Sequence, residues 1–426
     1  MKILLVLDNL SSSCGANVGI VYELARTWVE RGHEVYCLTR KDRFHDIDQQ
    51  KAGLLHMVWS FDVTEDDILN NVTKSDKWIH LSATGKAIFE LTHPVFLQKM
   101  IDKKFCESSE IRNEYRKQIE KLFKERSFDA AVAVTEPFYI ADALASAKVD
   151  TDKYVIMMDP YTNNPSTTDR TRKKKLAREQ HVFESARKVF TLDFVGNDMN
   201  YLSEELLGKR VNFCVPKVKK CGAGRSDDGA TVVDSEKIDF VYVGQLYEDI
   251  RNPELMLKIF TRLPDNYILH FYGGGCEQIV DKYKEILGDR LVIHGWVSSD
   301  ESALAQQNAH ILINMNNSIK NMLPSKLIEY INTGKPILNI CQIQDCPSIP
   351  YIQKYPMAVN IMPMDNDNNI VTAMISDRDL ETMAMEVQAF TENYQGKIVE
   401  HDVIENIYSD CISENVADMM LEEMQK

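Results

Sequence analysis

The stretch HILINMNNSIKNMLPSKLIEYINTGKPIL, from His310 to Leu338, contains a strand, a loop, a helix and a second strand. It begins with an apolar run of strand length, and Pro324 marks the entry to the helix, whose first turn holds Ser325 and Lys326. Gly334 ends the helix, and an apolar strand follows directly. A strand–helix–strand unit of this kind predicts a parallel sheet covered by helices.

The same alternation of strands and helices runs through both halves of the chain. Ile3–Leu7 is a continuous apolar run, as expected for a strand buried on both faces, and a helix follows the loop that ends at Gly19. Further strands are predicted at DAAVAV, YVIMMD and KVFTLD in the first half and at IDFVYVG, YILHFYGGG and RLVIHG in the second. The sequence therefore predicts two doubly wound, Rossmann-like α/β domains that face a cleft, with ligands beyond the carboxyl ends of the strands.

One segment interrupts this alternation. Residues 214–237 are rich in glycine, lysine and aspartate and lack apolar periodicity, which is typical of a linker between domains. We therefore predict an N-terminal Rossmann-like domain of residues 1–213, a C-terminal Rossmann-like domain of residues 238–401, and a C-terminal helix of residues 402–426.

The composition argues against several classes of protein. The 426 residues carry a formal charge of -15, which disfavours a nucleic-acid partner. No apolar run is long enough to span a bilayer, and Asp8 cuts the N-terminal run short, so that run indicates a strand rather than a signal peptide. The nine cysteines form no CxxC pair and no zinc pattern, which predicts reduced thiols in a cytoplasmic protein without a metal site.

Four loops at strand ends in the second half carry residues suited to a nucleotide. Arg251 lies just before a helix N-terminus, where a guanidinium can bind two phosphate oxygens. Alternatively, it is an exposed arginine paired with Asp249 or Glu248. The three glycines at 273–275 let a ligand approach the backbone, or they only form a tight turn.

The other two loops suit a base, a ribose and a pyrophosphate. Trp296 follows a strand and either presents a flat side chain to a nucleobase or is packed in the core. Glu329 lies four residues after Ser325, so both project from one side of the helix. The free N–H groups of the first helical turn favour a pyrophosphate, and the carboxylate can accept hydrogen bonds from ribose hydroxyls. The alternative is a capped helix with a solvated glutamate. Together the four loops predict a site for a nucleoside diphosphate.

The chain resembles the family-4-like glycosyltransferases of the two-domain GT-B architecture in the motifs RGHEV, VGQLYEDIRNPELMLKIF, HFYGGG, VIHGWV and LPSKLIEYINTGKPIL. The resemblance implies a hexosyltransferase-type enzyme of polysaccharide biosynthesis. Such an enzyme would move a sugar from a nucleotide-diphosphate donor to a glycan or lipid-linked acceptor, with retention of configuration and without a metal or other cofactor. The last helix of that architecture commonly crosses back to the first domain.

The resemblance and the positions of the loops together define the candidate site residues. The candidates for catalysis are Arg251, Lys326, Asn321 and Asp159. The candidates for donor binding are Gly244, Gln245, Gly273, Gly274, Trp296, Met322, Leu323, Ser325 and Glu329. The candidates for acceptor binding are Gly15, Asn17, Glu136 and Tyr161.

Two positions depart from the pattern of the family. Gln245 stands where an arginine is common, and Asn321 stands where the first glutamate of Glu-x7-Glu usually contacts the transferred sugar. An asparagine can still bind a hydroxyl but carries no charge. A non-catalytic binding protein that kept the fold therefore remains an alternative, as does a nucleotide-sugar epimerase of the same fold.

Three further features bear on mechanism and partners. An inverting enzyme needs a base near the acceptor hydroxyl, and Asp159 is the first candidate and Glu136 the second, unless either only caps a turn. The basic run Arg170–Arg178 suits anionic lipid at the inner face of a membrane, or it is a solvated helix face. Residues 365–367 mimic the DxD metal motif of another fold, but their composition predicts a polar loop.

Overall fold

The computed structural model describes residues 1–11, 16–41, 46–62, 108–218, 237–362 and 375–426. The chain divides into two compact units. Unit 1 comprises Met1–Cys214 and Ser413–Lys426, and unit 2 comprises Val215–Ile412. Each unit is built on a parallel sheet with helices, so the predicted fold class of two doubly wound α/β domains is confirmed.

The strands of unit 1 are β1 (Lys2–Val6), β2 (Glu34–Arg40), β3 (Met57–Phe61), β4 (Ala130–Val134), β5 (Asp152–Met157), β6 (Lys188–Leu192) and β7 (Arg210–Phe213). Those of unit 2 are β8 (Ile238–Val243), β9 (Tyr267–Tyr272), β10 (Leu291–Gly295), β11 (Ile311–Met315), β12 (Ile337–Ile340) and β13 (Ala358–Ile361).

The helices of unit 1 are α1 (Ala16–Glu30), α2 (Gln49–Leu54), α3 (Ser109–Glu125), α4 (Tyr139–Ser146), α5 (Asp169–Ser185), α6 (Asp193–Gly196) and α7 (Glu204–Leu207). Those of unit 2 are α8 (Glu254–Phe260), α9 (Glu277–Leu287), α10 (Ser299–Asn308), α11 (Lys326–Thr333), α12 (Ile349–Lys354), α13 (Asp377–Tyr394) and α14 (His401–Ile407). The last helix, α15 (Ser413–Gln425), belongs to unit 1.

The two sheets each have one point at which the strand order reverses. The order is β3-β2-β1-β4-β5-β6-β7 in unit 1 and β10-β9-β8-β11-β12-β13 in unit 2, and all paired strands are parallel. The reversals lie between β1 and β4 and between β8 and β11. In sheets of this kind, the loops that leave the strands on either side of the reversal diverge, and ligands bind in the crevice between them at the carboxyl edge.

The helix α15 completes unit 1 by packing against α1. The indole Nε1 of Trp28 donates to the carbonyl of Ala417 at 3.1 Å, and the guanidinium of Arg31 makes two bonds of 2.9 and 2.8 Å with the carboxylate of Asp418. Trp28 is fully buried, so this contact belongs to the core of unit 1. The tail was predicted as one helix from residue 402 to 426, but it forms α14 and α15 with a short 3-10 turn, Ser409–Cys411, between them.

Local sequence signals set several helix ends, among them the predicted end at Gly334. Ser298 and Glu301 form a capping box at the start of α10. Gly334 adopts a left-handed conformation with φ of 74° at the end of α11, and a Cβ there would lie 2.6 Å from the carbonyl oxygen of Val399. Asn252 accepts a hydrogen bond from the backbone N–H of Glu254, the first residue of α8.

A row of asparagines, two buried and one half-buried, crosses the sheet of unit 2. Asn314, Asn339 and Asn360 are in register on β11, β12 and β13. Asn314 donates to the Oδ1 of Asn339 at 2.7 Å, and Asn339 donates to the Oδ1 of Asn360 at 2.6 Å. Because an amide can donate and accept at once, the row satisfies polar groups that burial would otherwise leave unpaired.

Candidate functional site

The glycines at the carboxyl edge of unit 2 allow two loops to pass very close together. A Cβ on Gly273 would lie 2.0 Å from the carbonyl oxygen of Gly244, and a Cβ on Gly275 would lie 2.3 Å from that of Leu246. Gly273 and Gly275 also have φ of 138° and 98°, which disfavour any side chain. These two glycines are therefore required by the backbone itself, whatever binds beside them.

The indole of Trp296 lies against Gly274 at the same edge. The side chain is 70% exposed, so of the two alternatives the one in which the tryptophan is packed in the core is wrong. A Cβ on Gly274 would lie only 2.9 Å from the indole Nε1. The absence of a side chain at Gly274 lets the indole lie against the backbone while much of its surface stays open to solvent, which leaves it available for stacking.

Arg251 is held by neutral oxygens rather than by the neighbouring carboxylates. Its Nε and Nη2 donate to the Oδ1 of Asn317 at 3.0 and 2.7 Å, and its Nη1 donates to the carbonyl of Gln245 at 3.2 Å. The alternative pairing with Asp249 or Glu248 is therefore not what the structure has. Because its partners carry no charge, the guanidinium keeps its full positive charge for an anion.

The side chain of Asn317 also reaches the loop before α11. Its Nδ2 donates to the carbonyl of Met322 at 3.0 Å, and Asn317 is 4% exposed. The sequence did not single out this residue. The signal was the cluster of asparagines in NNSIKN, which directly follows β11 at the reversal point of the sheet.

Glu329, in the first turns of α11, forms ion pairs with two lysines. Lys326 Nζ lies 2.5 Å from Glu329 Oε2, and Lys217 Nζ lies 3.9 Å from Oε1. Each carboxylate oxygen therefore has a lysine partner, while the side chain stays 37% exposed and can still be reached by a ligand. Lys217 comes from the stretch predicted as a linker, where no site residue was expected.

The remaining residues of the loop before α11 differ in exposure. Asn321 is 4% exposed, Pro324 is buried and Ser325 is exposed at the start of the helix. Met322 and Leu323 are half-buried. The predicted donor-site residues of unit 2 thus lie on the loops after β8, β9, β10 and β11 and, for Glu329, within α11, at one edge of one sheet.

Unit 1 has a buried polar cluster at its own reversal point. Arg40 donates to the carboxylate of Asp8 through Nε at 2.7 Å and Nη2 at 2.9 Å, and the Tyr139 hydroxyl also donates to that carboxylate. The Tyr115 hydroxyl donates to the carbonyl of Leu7 at 2.7 Å. These contacts join β1, β2, α3 and α4 beneath the carboxyl edge.

The carboxylates of Glu136 and Asp159 follow the neighbouring strands β4 and β5. The Glu136 side chain is exposed, but desolvation by the surrounding protein atoms, with repulsion from Asp159 and Asp8, raises the pKa of its carboxyl to about 8. Burial also raises the pKa of Asp159, and a hydrogen bond of 3.0 Å from Asn17 Nδ2 partly offsets this shift. Below about pH 8 Glu136 is mostly protonated, so it can donate a hydrogen bond but is a poor base.

The raised pKa of Glu136 predicts a pH-dependent stability. Between its ordinary value of 4.5 and about 8, the folded state binds more protons than the unfolded state, so stability falls as the pH rises through this window. We expect Glu136→Gln to match the wild type in melting temperature at pH 5 and to exceed it at pH 9. The control is Glu184→Gln, an exposed glutamate of α5. A difference in melting temperature between wild type and Glu136→Gln that is the same at pH 5, 7 and 9 would contradict the raised pKa of Glu136.

The Tyr161 side chain is held in place by contacts within unit 1. Its ring stacks on that of Phe138 with centroids 3.5 Å apart, and its hydroxyl accepts a hydrogen bond of 2.8 Å from Arg178. Arg178 also pairs with Asp142 at 2.8 Å. As an acceptor-binding residue, Tyr161 would therefore act from a fixed position. Gly15 lies outside the described residues, as do residues 365–367.

The basic run Arg170–Arg178 lies on α5 and divides into two parts. Arg178 is half-buried by its pairing with Asp142, whereas Arg170, Lys173 and Lys174 are exposed. Across the described parts of the chain, no helix combines the length and the apolar character needed to cross a membrane.

The fold is that of known two-domain glycosyltransferases. No protein-family model matches the sequence, and no curated protein matches it either. A glycosyltransferase from Rickettsia africae ESF-5 matches with a TM-score of 0.62 and 11% identity over 100% of this chain and 97% of that one. Sucrose-phosphate synthase from Thermosynechococcus elongatus matches with a TM-score of 0.62 and 13% identity over 99% and 97%. Anabaena HepE, solved in complex with UDP-glucose, matches with a TM-score of 0.58 and 9% identity over 100% and 99%. The chain therefore has the GT-B fold.

Proposed function

We propose that the protein is a glycosyltransferase of the family-4-like group that transfers a sugar from a nucleoside-diphosphate donor to a glycan or lipid-linked acceptor. The observation that carries the proposal is the juxtaposition, at the reversal point of the unit 2 sheet, of the uncompensated Arg251 and the loop before α11. Asn317 bonds to both. The open indole of Trp296 and the carboxylate of Glu329 extend this site in a way that suits a base and a ribose. The UDP-glucose complex of HepE, which shares the fold, supports this choice of donor class.

The chemistry of such a transfer suits these groups. Breaking the bond between the sugar and the diphosphate places negative charge on the leaving phosphate, and fixed donors stabilise that charge most effectively. Arg251, Lys326 and the N–H groups at the start of α11 would supply this stabilisation without a metal ion. Retention of configuration is part of the proposal, since no obligatory base is then needed, and Asp159 is the candidate base if configuration is inverted.

A thermal-shift screen followed by a transfer assay tests the proposal. We expect one of UDP-, GDP-, ADP- or CMP-sugars to raise the melting temperature of the wild type and to do so less in Glu329→Ala, because the ribose contact is lost. The donor should then be converted to free nucleotide, slowly in water and faster with an acceptor. Stabilisation without any turnover would indicate a binding protein, and isomerisation of the sugar on the intact donor would indicate an epimerase. No stabilisation by any donor would refute the proposal.

We also propose that the exposed cations of α5 contact anionic lipid, which would bring a lipid-linked acceptor to unit 1. At about 1 kcal/mol for each charge, replacing Arg170, Lys173 and Lys174 by alanine is expected to weaken binding to phosphatidylglycerol vesicles by about two orders of magnitude in co-sedimentation. The matched control replaces three exposed lysines of α3, Lys117, Lys121 and Lys124. Equal loss in both triple variants would show that only the overall charge matters.

A further inference from the structure

The side chain of Asn317 connects two separate loops of the candidate donor site. It follows β11, which is paired with β8, so it lies beside the loop that carries Arg251. Its Oδ1 accepts two hydrogen bonds from Arg251, and its Nδ2 donates to the carbonyl of Met322. One buried amide thus binds both the guanidinium and the backbone that leads into α11.

Ser318, the next residue along the chain, fixes the position of the Asn317 amide. The backbone N–H of Ser318 donates to the carbonyl of Ile250 at 2.6 Å, and its hydroxyl donates to that of Asp249 at 2.8 Å. The chain around Asn317 is therefore tied to the Arg251 loop by main-chain contacts as well. A long arginine side chain loses considerable rotamer freedom when it is held, so a fixed acceptor lowers the entropy cost of binding an anion.

The neutrality of Asn317 is as important as its position. An aspartate at this place would make equally good hydrogen bonds to Arg251, but it would neutralise the charge on which anion binding depends. It would also lose the donor that bonds to Met322. An asparagine is the residue of this size that can hold the guanidinium, keep its charge and donate to a carbonyl at the same time.

We propose that Asn317 is a positioning residue that orients Arg251 toward the donor diphosphate and fixes the Met322 loop ahead of α11. The inference rests on the proposed function, because it concerns the same donor site. It assigns to Asn317 no contact with the donor itself. Its effect should therefore depend on Arg251 and on the presence of a diphosphate.

The test compares a diphosphate with its nucleoside. The first probe is the nucleoside diphosphate, among UDP, GDP, ADP and CDP, that stabilises the wild type most, and the second is its nucleoside. Calorimetry measures the dissociation constant of each. We expect Asn317→Ala to weaken the binding of the diphosphate about tenfold and that of the nucleoside less than twofold. Asn317→Asp keeps the shape of the side chain and should weaken the binding of the diphosphate at least as much. This variant tests the inference even if Asn317→Ala does not fold.

Two controls separate positioning from a structural role. In the background of Arg251→Gln, Asn317→Ala should cause little further loss, because the two side chains act as one unit. The control is Asn360→Ala, which removes an asparagine of β13 whose amide oxygen accepts from Asn339. It should leave the ratio of the two affinities unchanged. Equal loss for diphosphate and nucleoside, or full additivity with Arg251→Gln, would overturn the inference, whereas a wild type that binds none of the diphosphates would refute the proposed function instead.

Discussion

Replacing Asp8 by alanine is expected to destabilise unit 1 by about 3–5 kcal/mol. The side chains of Asp8 and Arg40 are only 10% and 9% exposed, and the carboxylate accepts both guanidinium bonds as well as one from Tyr139. Without Asp8, the guanidinium of Arg40 would be a buried charge with its main partner removed. Hydrogen exchange of the β1 and β4 amides measures the effect, since these strands lie in the core of unit 1.

Two comparisons identify the cause of that loss. The pair of Lys41 and Asp62 is of similar length, 3.2 Å, but its side chains are 53% and 68% exposed, so Asp62→Ala should cost less than about 1 kcal/mol. The double variant Asp8→Ala with Arg40→Met should be more stable than Asp8→Ala alone, because no unpaired charge remains. If the double variant is instead the less stable of the two, the cost comes from the lost attraction and not from the stranded cation.

Replacing Arg251 by glutamine is expected to weaken the binding of the nucleoside diphosphate about 10- to 100-fold. Hydrogen bonds to charged groups contribute about 1.5–3 kcal/mol each, and the guanidinium of Arg251 is the cation that Asn317 and the carbonyl of Gln245 hold at the reversal point of the sheet. Glutamine keeps a polar side chain but removes the charge. Calorimetry with the diphosphate and with the nucleoside measures the effect, and the nucleoside should bind as before because it carries no phosphate.

The control for this variant is another arginine of unit 2. Arg262 lies just beyond α8 and pairs with Asp377 at 2.7 Å on the surface. Arg262→Gln should change the affinity for the diphosphate less than twofold. A nucleoside that loses as much affinity as the diphosphate in Arg251→Gln would mean that Arg251 supports the loop and does not bind the phosphate.

The sequence by itself determined the class of fold and the edge at which the candidate site lies. Apolar runs such as Ile3–Leu7 and the strand–helix–strand pattern around Gly334 depend on neighbouring residues alone, and so does the capping box at Ser298. Such local signals specify strands, helices and their order. Because parallel strands end at a common edge, they also predict that Arg251 and Glu329 lie at the same edge of the sheet.

Only the tertiary structure decided which side chains meet. Asn317 is 66 residues from Arg251, and they meet because β11 lies beside β8. Lys217 reaches Glu329 from a segment with no periodic signal. The bond from Trp28 to Ala417 joins residues 389 apart. A hydrogen bond or an ion pair forms between groups within a few ångströms, and the folded arrangement of distant strands sets those distances, so no local pattern in the chain encodes them.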